Sequence, residues 1–154
     1  MGLYGVLHRD FAQRTKANLA FIEKAYQEGT PDVYNVTQLI NSCLGMVIFL
    51  KEGGYVSGDN IKEFHNGTLF ETIKDDLDSN NTMEGFLRRF RNAIAHCHIK
   101  AYGTEHDIHG FELWDHPRGQ EINWHVKMDT NGIRVLALTL VHNVEIATNS
   151  NIDW

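Results

Sequence analysis

Long hydrophobic runs are missing from this chain. The longest apolar stretch, Cys43 to Leu50, is far too short to span a bilayer. The first residues do not follow the basic-then-apolar layout of a signal peptide. Cysteine is scarce: of the two present, both Cys43 and Cys97 lie in apolar helical patterns, where reduced, packed thiols are expected. Together these absences lead us to expect a cytoplasmic protein with no membrane association. Repeats and low-complexity tracts are absent, and no segment has a disordered composition. A phosphate-cradling glycine loop is missing too, because Gly53-Gly54 has neither the lysine nor the following helix that such a loop needs. Nor is there a cationic excess. The net charge of −6 argues against a broad, sequence-blind nucleic-acid surface.

What is present suits a single globular domain over residues 1–154, with 42% hydrophobic and 10% aromatic residues. The charge is unevenly spread. From Met83 to Lys100, Glu84 stands against Arg88, Arg89, Arg91 and Lys100, whereas Ile61 to Asn81 is rich in Glu and Asp. One basic segment in an acidic body fits a focused anion site.

Apolar spacing predicts a first helix over about Leu3 to Glu28, with a buried stripe of Tyr4, Leu7, Phe11, Leu19, Ile22 and Tyr26. Gly29-Thr30-Pro31 ends it. Asn35 opens a second helix with Gln38 as a capping-box partner, and Gly45 in its middle implies close approach by a neighbouring backbone. After a loop to about Gly67, Thr68-Leu69-Phe70-Glu71 reads as a capping box opening a short acidic helix that buries Phe70, Ile73 and Leu77. Asn81 or Thr82 then caps a helix whose buried face is Met83, Phe86, Leu87, Phe90, Ala93, Ile94 and Cys97.

Beyond Tyr102-Gly103 the period changes to two. Ile122, Trp124, Val126 and Met128 alternate with polar residues, as do Phe111 and Leu113, with Asp115 to Gly119 as the turn between them. We read a β-hairpin over about residues 106–128. Residues 133–147 match both a helix and a strand; their length and lack of an internal turn favour a last helix.

The chemistry concentrates in Arg91-Asn92-Ala93-Ile94-Ala95-His96, flanked by Arg88, Arg89 and His98. Arginine holds a phosphate through a fixed fork of donors, and histidine takes and gives protons near neutrality. On an ideal helix Asn92 and His96 share a face, while Arg91 lies about 140° from His96. Two copies meeting across a symmetry axis would bring arginine and histidine together, which points to a composite, dimeric site.

This segment resembles the HEPN domains (higher eukaryotes and prokaryotes nucleotide-binding), whose mark is an arginine and a histidine four to six residues apart, usually with a polar residue after the arginine. Arg91, Asn92 and His96 match, and the preceding helices look like that family's bundle. The resemblance is to the small stand-alone bacterial type and covers about the first two thirds of the chain. It implies a mainly α fold: a bundle of about five helices with a small β-hairpin inserted before the last. It further implies a metal-independent, cofactor-free endoribonuclease working as a homodimer through the motif helix, in a toxin or phage-defence setting where an antitoxin protein is a further partner. Arg91 would contact the scissile phosphate, His96 would transfer protons and Asn92 would orient one of them; Arg88, Arg89 and His98 would contact RNA. A catalytically silent dimerisation or nucleotide-binding module is the alternative. In a purely structural alternative, Arg88, Arg89 and Arg91 pair with Asp75, Asp76 and Asp78, and His96 is a satisfied histidine at a helix end. The histidines His96, His98, His106, His109 and His116 match no standard zinc spacing, and His96 and His98 would point about 200° apart if both stayed helical.

Overall fold

The computed structural model describes residues 2–53 and 70–150. The described residues divide into two compact units, residues 2–53 with 134–150, and residues 70–133.

The first unit holds α1 (Gly2–Gln27), α2 (Asn35–Gly53) and, from Arg134 onward, α4 (Thr130–Ser150). Its core is Ala12 and Leu19 of α1, Leu39, Cys43, Met46 and Val47 of α2, and Leu136, Ala137, Leu140, Val141 and Val144 of α4. Burial pushes the Cys43 thiol up to about 12, as expected of a packed cysteine. The buried stripe of α1 is rotated from the expected one: Ala12, Thr15 and Leu19 are inside, while Leu7 and Tyr26 are exposed. Gly29 adopts φ 74° and ends α1 in a Schellman turn, with Thr30 N donating to Ala25 O and Gly29 N to Tyr26 O. Gly45 faces the ring of Phe11, not a backbone, and Gln38 donates to Ser42 Oγ. Arg134 pairs with Glu23 at 2.7 Å.

In the second unit, β1 (Glu71–Asp75), β2 (Ile99–Gly103), β3 (Ile108–Asp115) and β4 (Trp124–Asp129) form an antiparallel sheet in the order β1-β4-β3-β2. A short 3-10 helix (Ser79–Asn81) leads into α3 (Met83–Ala95), which Thr82 caps by accepting from Gly85 N at 3.0 Å. The five-helix bundle with a hairpin insertion is therefore corrected. The described residues form four helices and a four-stranded sheet, of which the expected hairpin is the β3–β4 pair. Residues 71–75 are a strand and not an acidic helix: β-branched Thr72 and Ile73 favour extended backbone, and Glu71 sits opposite Lys127 on β4. Ile73 and Leu77, expected inside, are exposed; only Phe70 is buried. The loop to Gly67 and the capping Thr68 and Leu69 lie outside the described residues. The ambiguous stretch 133–147 is helical, and α4 starts with Gly132 N donating to Asp129 Oδ1.

Facing the sheet, α3 packs Phe86 against Phe70 (centroids 4.7 Å apart) and edge-on to Trp124 (6.0 Å). Leu87, Phe90, Ala93, Leu113, Val126 and Met128 complete this core. Gly85 is required where α3 meets the preceding turn, because a Cβ there would strike the Ser79 carbonyl. Among the described residues no helix is long and apolar enough to cross a membrane.

Candidate functional site

The motif lies on α3, whose three arginines have different fates. Arg89 is 8% exposed and its guanidinium turns inward. Its Nη1 donates to Asp115 Oδ2 at 2.9 Å and Asn123 Oδ1 at 3.3 Å, and Nε to Ser79 Oγ at 3.2 Å. Arg88 is exposed and Arg91 half-buried, and neither forms an ion pair or side-chain hydrogen bond among the described residues. The pairing with Asp75, Asp76 and Asp78 does not occur. Asp75 accepts instead from the backbone of Ser79 and Asn80, and Asp76 pairs with Lys74.

Asp115 is the hub that joins α3 to the end of β3. It is 4% exposed, and besides Arg89 its Oδ2 accepts from Asn92 Nδ2 at 3.3 Å, while Oδ1 accepts from His116 N at 3.0 Å. One carboxylate thus holds the motif asparagine and the backbone that carries His116. Sequence reasoning missed Asp115, although a signal exists. Phe111, Leu113 and Asp115 have the same strand parity, so the carboxylate must face the core and needs a buried cationic partner.

The helix ends where the motif ends. His96 is the C-cap (φ −99°, ψ 10°) and is exposed, so ideal-helix angles do not govern its side chain. Cys97 follows at φ 57°, with its N–H bonded to Ile94 O and that of His98 to Ala93 O. This is the same Schellman turn that closes α1, with cysteine in the left-handed position that Gly29 fills there. Cys97 is exposed, so its expected packing into the core is corrected. Relieving the left-handed strain at Cys97 is worth ~1–2 kcal/mol, and glycine gives back part of it as chain entropy. We expect Cys97→Gly to raise stability by about 0.5–1 kcal/mol, seen as a higher urea midpoint at unchanged slope. A lower midpoint would mean that the cysteine side chain itself stabilises the turn.

The reversal at Cys97 brings together rings that a continuous helix would separate. His96 and His98 have centroids 5.8 Å apart. His98 stacks on His116 at 4.7 Å and on Trp114 at 5.9 Å. His106 and His109 are exposed and take no part in this cluster. Among the described residues no group of three or more His, Cys, Asp or Glu is arranged to hold a metal ion. What the arrangement offers is a proton-transferring imidazole at the helix end, further imidazoles beside it and arginines with uncommitted guanidinium groups on the same helix.

No curated protein and no solved structure matches the chain. A family model does: HEPN pEK499 p136, over residues 1–151. That match covers the motif, both units and nearly the whole length, and on it the chain belongs to the HEPN family.

Proposed function

We propose that this protein is a metal-independent endoribonuclease of the HEPN type, acting as a homodimer through α3. The family assignment supports a nucleotide-binding or ribonuclease-type module, and domains of this family commonly dimerise and bind RNA. The observation that carries the reading is the state of the motif. Arg91 has no protein partner among the described residues, His96 is exposed at the helix end, and Asn92 is held by buried Asp115. A motif kept only for structure would have its arginine committed as Arg89 is.

In the proposed reaction a ribose 2′-OH attacks the adjacent phosphorus. The O2′–P bond forms, the P–O5′ bond breaks, and the products are a 2′,3′-cyclic phosphate and a 5′-OH. One imidazole takes the 2′-OH proton and a protonated one supplies the proton that the 5′ oxygen gains. With two copies facing, the His96 of each protomer fills one role, and Arg91 offsets charge growing on the phosphate. Arg88 and His98 contact flanking RNA, whereas Arg89 secures the frame. In-line attack needs a flexible linkage, so single-stranded or loop RNA is the substrate class. A toxin or phage-defence role in the cytoplasm, held in check by an antitoxin protein, suits a nuclease of this kind.

Incubation with a structured RNA in EDTA tests the reading. Fragments ending in 2′,3′-cyclic phosphate are expected. An inert protein that still dimerises and binds nucleotide would support the silent-module alternative.

A further inference from the structure

We infer that the face of the sheet opposite α3 carries a stacking subsite, centred on Trp114 and His98, for an unpaired base of single-stranded RNA next to the scissile phosphate. This inference rests on the reading of the chain as RNA-directed.

Strand parity assembles the subsite. On β3, Leu113 and Asp115 are buried and Phe111 shares their parity, so Glu112 and Trp114 take the opposite face. Register then sets His125 of β4 opposite Trp114, Lys127 and Lys100 on either side of Glu112, and Tyr102 opposite Gly110. The rings form a continuous row that starts at the motif. His96 neighbours His98, which stacks on Trp114 at 17° between ring planes, and His125 meets Trp114 edge-on at 6.3 Å. Lys127 Nζ lies 4.4 Å from the Tyr102 ring centre. Tyr102 can lie across the sheet because Gly110 has no Cβ to meet its hydroxyl.

Two observations separate this row from ordinary packing. Trp114, His98 and His125 are half-buried, whereas the aromatics on the core side, Phe86, Phe90 and Trp124, are closed off. His98 Nδ1 and His125 Nε2 are buried without hydrogen-bond partners, the latter within ion-pair distance of Glu112 Oε2 at 3.8 Å. The charge balance then names the occupant. A duplex needs a broad cationic surface, which a net charge of −6 denies, whereas an unpaired base needs a ring face and a few cations such as Lys100 and Lys127.

The test uses the full chain carrying His96→Ala, so that RNA is bound but not cut, and the anisotropy of a fluorescein-labelled 12-nucleotide RNA without secondary structure. Adding Trp114→Ala or Trp114→Leu should weaken binding about tenfold or more, while Trp114→Tyr should stay within about threefold. Leucine keeps apolar bulk without a ring, so agreement between the two losses, with native circular dichroism, isolates stacking. Unlabelled single strand should compete and an equal-length duplex should not. Trp114→Leu binding as tightly as the parent would overturn the subsite while leaving the nuclease reading in place, and equal competition by duplex would overturn the single-strand assignment. If the parent neither binds RNA nor, with His96 restored, cuts it, the RNA-directed reading fails and takes the subsite with it.

Discussion

Asp115→Ala is expected to cost about 3–5 kcal/mol of stability, because it leaves a buried guanidinium with its charge uncompensated. Arg89 is 8% exposed and Asp115 4%, and Nη1–Oδ2 is 2.9 Å, so neither partner can turn to water without opening the α3–β3 packing. The same carboxylate also accepts from Asn92 Nδ2 and His116 N, and those donors lose their acceptor in the variant. For a domain whose whole stability is ~5–15 kcal/mol, a loss of this size removes a large share of it and lowers the midpoint of urea unfolding in proportion. Arg89→Ala should cost about as much for the mirror reason. The double variant Arg89→Met with Asp115→Leu should recover the part of the loss due to the unpaired charge, since a buried pair replaced by apolar residues of similar volume is often neutral or better, while Asn92 Nδ2 and His116 N still lack their acceptor. Urea midpoints of the three variants decide the matter. Single substitutions each costing under about 1 kcal/mol would place the pair among weak, solvent-screened bridges and remove Asp115 as the anchor of the motif.

How far the sequence reveals this arrangement depends on whether a local pattern or a distant partner decides each element. α3 is legible because its apolar residues recur at helical spacing, and the β3–β4 hairpin because Trp124, Val126 and Met128 alternate around a clear turn; α4 fits helix and strand spacing alike, and only its length and lack of an internal turn favour the helix. β1 is not legible. Phe70, Ile73 and Leu77 have helical spacing too, and the pairing with β4 that, together with β-branched Thr72 and Ile73, makes the segment extended comes from far along the chain. β2 is short and follows a helix whose stop has no glycine to announce it. At α1 the left-handed residue is Gly29, which reads plainly; at α3 it is Cys97, which does not. The site divides along the same line. Arg91, Asn92 and His96 are adjacent in the chain and carry their own signature, whereas the neighbours of His98 depend on the Cys97 turn and on the strand pairing that delivers Trp114 and His116. Arg89 matches a surface cation in sequence because its acidic partner, Asp115, lies 26 residues away.

Loss of the His96 imidazole should lower RNA cleavage by about 10²–10⁴-fold, the usual contribution of a positioned general acid or base. Arg91→Ala should cost about 10²–10³-fold through lost charge stabilisation of the phosphate. Neither side chain forms an ion pair or hydrogen bond among the described residues, and the ring contact His96 makes with His98 lies at the exposed helix end, so neither change should shift stability by more than about 0.5 kcal/mol, read from the urea midpoint. That separates them from Asp115→Ala, where activity and stability fall together. The two inactive variants also test the composite site. In a homodimer whose cleft draws on both copies, mixing His96→Ala with Arg91→Ala protein creates heterodimers that retain one intact His96 and one intact Arg91 from different chains. Arg91 belongs to the regular helix and His96 to its cap, so the chemistry needs the second chain only if one copy cannot aim both side chains at a single phosphate. Cleavage by the mixture above either variant alone would place the residues in trans. A mixture as inactive as its parts, with exchange of subunits verified, would place arginine and histidine in one chain or show that both copies of each are required, and wild-type/His96→Ala heterodimers then separate those two cases.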